Sequence, residues 1–140
     1  MEIRPEQGVD DLRFFSSIDD VVGLIGEPSQ KRESDGWAIL DFGIFGLSTV
    51  FNDEGLVGVS VENQDIRLWG EQIGNRNRKD ISQIIEENKF EAIPVIDRSE
   101  VTRLIVADAG LEFFFDGDIL EAIHVQPPNW QAEQEEPSDE

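Results

Sequence analysis

Carboxylates are the most abundant groups that could do chemistry in this 140-residue sequence, which has 31 Asp and Glu and no cysteine. Catalysis by paired carboxylates needs two acids whose environments push their pKa values apart, and one of them is usually partly buried. Asp41 interrupts an apolar run and Asp108 precedes a glycine turn. The other acids fall mostly at expected caps, turns and outward strand positions, where solvated carboxylates are usual. We therefore expect no catalytic pair.

The other groups that could hold a metal or a cofactor are sparse. His124 is the only histidine, and without cysteine it cannot complete a zinc site. The oxygen-rich turns at residues 52–54 and 116–118 lack the ligand spacing of a calcium loop. No G-x-S-x-G elbow, phosphate-binding loop or dinucleotide fingerprint occurs. The sequence predicts no enzyme activity, no metal and no cofactor, with His124 on the surface or at an interface.

The charge balance limits the kind of partner. Eleven Lys and Arg against 31 acids leave a formal net charge of -20, which disfavours nucleic acid because a duplex would be repelled. Basic proteins are the more natural partners, although the acidity could also serve solubility alone. No apolar run is long enough for a membrane helix and the acidic N-terminus does not resemble a secretory signal, so we expect a cytoplasmic protein.

The chain carries two related copies, residues 17–63 and 80–125. Residues 46–61 align with 110–125 without a gap at an offset of 64, so that Gly46, Phe51 and Val61 meet Gly110, Phe115 and Val125. We expect one domain over residues 1–125, in which residues 64–79 link the copies. The acidic, Pro-rich residues 126–140 are expected to be a disordered tail.

Each copy reads as a capped helix followed by three strands. Ser17 and Asp80 are the candidate N-caps, each followed by an apolar stripe at helical spacing. Alternating apolar residues predict the strands at 37–42, 47–51, 56–61, 101–106, 111–115 and 119–125. The predicted fold class is α+β, a tandem repeat of a helix plus a three-stranded antiparallel meander, with both helices on one face of the sheet.

Side-chain alternation assigns a core face and a far face to the central strands. Leu111, Phe113 and Phe115 point to the core, so Glu112 and Phe114 point to the far face. The copies agree at core positions and differ at outward ones, which predicts that specificity lies on the far face and on exposed turns. The predicted partner-binding residues are Glu112, Phe114, Glu121, His124, Asp53, Glu54 and Trp69.

A resemblance to a known group of proteins rests on the strand and turn pattern. Residues 41–47 with Phe51 and residues 55–57, repeated as 109–115 with 119–125, resemble small bacterial immunity proteins that accompany toxins. The tandem architecture is also similar to that of β-lactamase inhibitor proteins. The resemblance implies a non-enzymatic inhibitor that covers the active site or an essential surface of its target.

The predicted function is therefore that of a cytosolic binding protein of the immunity type. Its acidic sheet or loop surface would neutralise a basic protein such as a toxin nuclease domain, because complementary charge speeds the encounter. A monomer or weak dimer is expected. Two alternatives remain open at this point, a small acidic secretion-type chaperone and an enzyme with a carboxylate site.

Overall fold

The protein is mostly β. The computed structural model describes residues 1–62 and 65–128, with 48% strand and 19% helix. The helices are α1 (Ile18–Ile25) and α2 (Arg78–Glu87). The strands within the described residues are β1 (Glu2–Arg4), β2 (Gly8–Val9), β3 (Leu12–Arg13), β4 (Gln30–Ser34), β5 (Trp37–Phe42), β6 (Leu47–Asn52), β7 (Gly55–Val61), β8 (Arg67–Leu68), β9 (Glu71–Gln72), β10 (Ile93–Asp97), β11 (Glu100–Val106), β12 (Leu111–Asp116) and β13 (Ile119–Val125).

Eight strands form one antiparallel sheet, in the order β10-β11-β12-β13-β7-β6-β5-β4. Each half is a four-stranded meander, and the halves join where β7 pairs with β13. Ser60 faces His124 at the middle of this junction, with Val59 opposite Val125 and Val61 opposite Ile123. The junction makes a continuous surface of the two meanders.

A second, five-stranded sheet is built from short strands in the order β3-β2-β1-β8-β9. It combines the N-terminal residues with the segment that follows the first meander, and β1 pairs with β8 in parallel. Its apolar residues, such as Ile3 and Leu68, are fully buried. This small sheet therefore contributes to the core.

One hydrophobic cluster holds these elements together. The inward residues of the eight-stranded sheet, such as Leu40 and Phe113, share it with Val21 of α1, Ile84 of α2 and the small sheet. Burying such side chains stabilises the fold by about 1.5 to 3 kcal/mol each before entropy is counted. The helices and the small sheet thus pack around the inward face of the large sheet.

The predicted tandem repeat of a helix plus a three-stranded meander is wrong. The polar stretch at residues 29–36 and the segment at 93–97 also form strands, which makes four strands per meander. The N-terminal residues and residues 67–72 form a sheet of their own. Gln30–Ser34 is exposed at all five positions, so the strand has no apolar alternation from which it could be predicted.

The expected N-cap is confirmed at α1 and is wrong at α2. Ser17 caps α1 as predicted, since its side chain accepts a hydrogen bond from the Asp20 N–H. Asp80 does not cap α2. Asn77 does, by accepting from the Asp80 N–H at 2.8 Å, so the helix begins earlier than its apolar stripe.

The offset of 64 also relates the hydrogen-bond registers of the two meanders. The β6–β7 and β12–β13 pairings match position by position, including a bulge after Val50 and after Phe114. Short 3-10 turns precede β6 and β12, and they end at Gly46 and Gly110 with nearly equal left-handed angles, φ 64° and 68°. Equivalent positions in the two meanders can therefore be compared directly.

Candidate functional site

The face of the eight-stranded sheet that points away from the core carries apolar side chains outside the core cluster. Along β5, β6, β11, β12 and β13 these residues alternate with buried ones. They are half-buried, and we call the surface that they form the open face. Its apolar members are Ile39, Val50, Ile105, Phe114 and Ala122.

A hydrogen bond joins two polar residues at the centre of the open face. Ser60 Oγ lies 2.9 Å from His124 Nδ1, on either side of the β7–β13 junction. Burial lowers the pKa of His124 below its ordinary value of 6.5, although the charge of Glu112 and a hydrogen bond with Gln126 act in the opposite direction. At neutral pH the imidazole is therefore neutral.

An ion pair lies on one side of this centre. Glu112, directly opposite His124 on β12, is only 8% exposed and accepts a hydrogen bond from the guanidinium of Arg103. The same guanidinium lies 5.7 Å from the centre of the Phe114 ring, within cation–π distance. The negative charge of Glu112 is thus neutralised within the sheet.

A second polar group lies on the other side of the centre. Ser48 Oγ donates to Asp41 Oδ1 at 2.8 Å, and Asp41 Oδ2 lies 3.5 Å from the Arg32 guanidinium. Ser48 faces Ser60 on β7 and Asp41 on β5. A continuous row of polar residues therefore crosses five strands, and we call it the polar row: Asp41, Ser48, Ser60, His124 and Glu112.

The geometry of the polar row differs from that of a serine hydrolase. In a Ser-His-acid triad the hydroxyl bonds one ring nitrogen and the carboxylate orients the other. Here Ser60 lies against Nδ1, and the carboxylate of Glu112 is bonded to Arg103. The arrangement is suited to holding side chains in place on a surface, because each polar group has a partner.

The structure brings three of the predicted partner-binding residues together. Glu112, Phe114 and His124 lie on the open face, but Glu112 is buried in an ion pair and is not an exposed acid. His124 is half-buried at the centre of the face. Simple alternation along β13 would put Leu120 on the same face as His124, but Leu120 is in the core because the bulge shifts the register of the strand.

The remaining predicted residues lie around or away from this face. Asp53 and Glu54 are exposed in the β6–β7 turn, and Glu121 is exposed at the bulge of β13. Trp69 does not join them. Its ring stacks on Phe90 at 5.3 Å, so it has an intramolecular packing partner.

Sequence reasoning missed the residues that complete the polar row. Asp41 stands out in the sequence only as an acid within an apolar run, and Ser48, Ser60 and Arg103 are not among the predicted partner-binding residues. The repeat did contain a signal for the central contact. When two copies of one strand pair antiparallel about a common centre, the equivalent residues at that centre face each other.

Other features of the described residues are weaker candidates for a functional site. Among residues 1–62 and 65–128, no three His, Asp or Glu side chains are grouped as metal ligands would be. A cavity of about 630 Å³ beside α2 is lined by both signs of charge, including Arg78, Lys79, Glu86 and Asp118. Neither described helix has the length and apolarity needed to cross a bilayer.

Comparisons with known proteins address the fold. No family model matches the chain, and no curated protein matches it significantly. A solved structure of an extracellular protein containing an SCP domain, from Bacillus anthracis, superposes with a TM-score of 0.59 at 13% identity. The match covers 95% of this chain and 52% of that one, so this chain spans about half the length of the solved protein. At this identity the likeness extends to the fold alone.

Proposed function

We propose that this protein is a non-enzymatic binding protein that holds a basic protein partner on the open face. The observation that carries the proposal is the composition of this face. Its half-buried apolar side chains do not join the core cluster, and the ionic groups between them are paired with each other. A partner that covered the face would bury apolar area without leaving a carboxylate unpaired.

The distribution of apolar and polar residues on the open face is similar to that of protein interfaces. Interface centres are apolar and poor in unpaired charge, while their rims are polar. Val50, Phe114 and Ala122 supply the apolar centre around Ser60 and His124. Aromatic residues at such centres are frequent anchors of binding energy, and Phe114 is an aromatic residue close to the centre of this face.

Acidic turns lie at both ends of the sheet. Asp53 and Glu54 are exposed at the end of the first meander, and Asp116, Asp118 and Glu121 are exposed at the corresponding end of the second. Because β7 and β13 run antiparallel, these two ends are at opposite sides of the open face. A basic partner would be attracted from both sides, and added salt would weaken that attraction.

The specific form that we propose is an inhibitor of the immunity type, acting in the cytoplasm on a basic toxin domain. The net charge of -20 supports the basic character of the target. The inhibitory role rests on the strand and turn pattern described above. Both would act through the open face.

Capture experiments with matched variants test this proposal. We expect the purified chain to capture one basic protein in equal amount from the cytosol of its source cell, with less capture as salt is raised. Val50→Lys and Phe114→Lys add positive charge to the open face and should weaken the complex at least about tenfold. Ile96→Lys is the control, because Ile96 is 63% exposed on the edge strand β10.

The outcomes separate the parts of the proposal. Absence of a stoichiometric partner, or equal loss of capture in all three variants, would contradict binding at the open face. A partner that is present only in the secreted fraction would contradict the cytoplasmic location. A partner whose activity persists in the complex would contradict inhibition. Unchanged circular dichroism of each variant shows that its fold is intact.

A further inference from the structure

An exposed apolar patch lies away from the open face, where the end of α1 meets the first 3-10 turn. Ile44 is 89% exposed, Leu24 is 55% exposed and Phe45 is 44% exposed. A groove of about 380 Å³ runs beside Leu24 and Phe45, with Val9, Leu12, Ile25 and Leu47 among the residues that line it. We call these residues the α1 patch.

Hydrogen bonds hold the 3-10 turn that carries Ile44 in place. The Ser29 hydroxyl accepts from the Gly43 N–H at 3.3 Å and donates to the Asp41 carbonyl at 2.9 Å. At its other end the turn closes through Gly46, whose N–H donates to the Gly43 carbonyl. Ile44 is therefore presented on an ordered turn, and a ligand would not have to order this turn on binding.

The second copy provides an internal reference for this surface. At the offset of 64, Asp108 and Ala109 occupy the places of Ile44 and Phe45 in a 3-10 turn of the same geometry. Ile44 is 89% exposed, so the fold does not require a large apolar residue at its position. Its presence in the first copy alone points to a function other than stability.

The charges around the groove indicate the chemistry of its ligand. Asp10 and Asp11 line the groove and are exposed, while the ammonium of Met1, which also lines it, is paired with Asp65. Arg13 donates to the backbone carbonyl of Asp10, and the Asp10 carboxylate accepts from the Glu2 N–H. Asp11 stands beside the apolar floor with its carboxylate accessible. A second copy of the chain fits poorly, because two molecules of charge -20 repel each other.

We propose that the α1 patch is a second binding site, which takes a basic amphipathic peptide segment of a partner protein. Apolar side chains of the segment would enter the groove beside Leu24 and Phe45 and cover Ile44. A lysine or arginine of the segment would pair with Asp11. This site is separate from the open face and does not rest on the function proposed for that face.

Nuclear magnetic resonance with designed peptides tests this site on the full chain. The probe is a synthetic 14-residue peptide of Leu and Lys at helical spacing, and the matched probe carries Glu in place of Lys. We expect the Lys peptide to shift the amide signals of residues 10–12, 24–25 and 43–47. The Glu peptide should leave them in place.

Variants taken from the second copy supply the decisive comparison. Ile44→Asp combined with Phe45→Ala reproduces the pair found at Asp108 and Ala109, and should weaken the Lys peptide at least about tenfold. Ile44→Asp alone tests the most exposed residue in case the double variant is unstable. Ile96→Asp removes another exposed isoleucine and should leave affinity unchanged.

Three outcomes would overturn the assignment. The first is that shifts spread over the acidic turns of both copies, which would show attraction by charge alone. The second is that the Glu peptide binds as well as the Lys peptide. The third is that the wild-type chain dimerises and Ile44→Asp abolishes the dimer, which would make the patch a self-contact.

Discussion

His124 Nδ1 lies 2.9 Å from Ser60 Oγ, and the two residues occupy equivalent positions of the two meanders. They meet because β7 and β13, which are equivalent strands, pair antiparallel with this pair of residues at the centre. The two sides of the contact have diverged chemically. The second copy supplies an imidazole and the first supplies a hydroxyl, so a hydrogen bond crosses the boundary between the copies.

The lowered pKa of His124 predicts a loss of stability on acidification. The unfolded chain binds a proton near the ordinary pKa of 6.5, whereas burial keeps the folded imidazole neutral to a lower pH. The free energy of unfolding therefore falls as the pH drops through 6.5 and levels off below the folded pKa. Urea denaturation between pH 7.5 and 5.5 measures this loss.

His124→Ser, which places the residue of the first copy at this position, is the control for the acidification experiment. Because His124 is the only histidine, the difference between wild type and variant isolates its contribution. Parallel pH profiles for the two proteins would contradict the prediction.

The charge of Glu112 raises the pKa of His124, in opposition to burial, which lowers it. Replacing Glu112 with an uncharged residue should therefore lower that pKa further. We expect Glu112→Gln to lower the pKa of His124 further, because the favourable charge opposite the imidazole is lost. Proton resonance of the single imidazole during a pH titration measures the shift. A pKa that rises or stays constant would show that Glu112 does not act on His124.

Gly58 should be intolerant of a methyl group while His124 is present. A Cβ built at Gly58 would lie 2.8 Å from His124 Cε1, and the counterpart of Gly58 in the second copy is Ala122. Gly58→Ala should therefore destabilise the fold by about 1 to 3 kcal/mol. His124→Ser should remove most of that cost, because Ala122 coexists with Ser60 in this arrangement. A double-mutant cycle in urea measures the coupling, and additive effects would contradict it.

Gly110 and Gly117 form a matched pair of left-handed glycines. Their φ angles are 68° and 62°, but a Cβ at Gly110 would lie 2.0 Å from the Gln126 carbonyl oxygen, whereas a Cβ at Gly117 meets nothing within 4 Å. Gly117→Ala should cost about 1 kcal/mol through backbone strain alone. Gly110→Ala should reduce the free energy of unfolding clearly more, since the backbone at Gln126 must also move. Thermal unfolding of the two variants measures the difference. Equal costs would mean that this close approach does not form.

Several local features could be predicted from the residues because they depend on neighbours in the chain. The cap at Ser17 follows from a hydroxyl placed before an apolar stripe, and the glycine-ended turns at Gly46 and Gly110 follow from backbone that favours a missing side chain. The inward positions of Leu111, Phe113 and Phe115 follow from strand alternation. The strand Gln30–Ser34 could not be predicted in this way, because all its residues are exposed and it forms by pairing with β5.

The sequence by itself determined the two helices, the central strands and the offset that relates the copies, since these are matters of periodicity and local backbone preference. Only the tertiary structure decided that the copies join at β7 and β13, that Ser60 meets His124, and that Glu112 is neutralised by Arg103. Strand order and register depend on contacts between residues far apart in the chain, and composition and spacing do not specify them. The open face and its polar row are consequences of that long-range pairing.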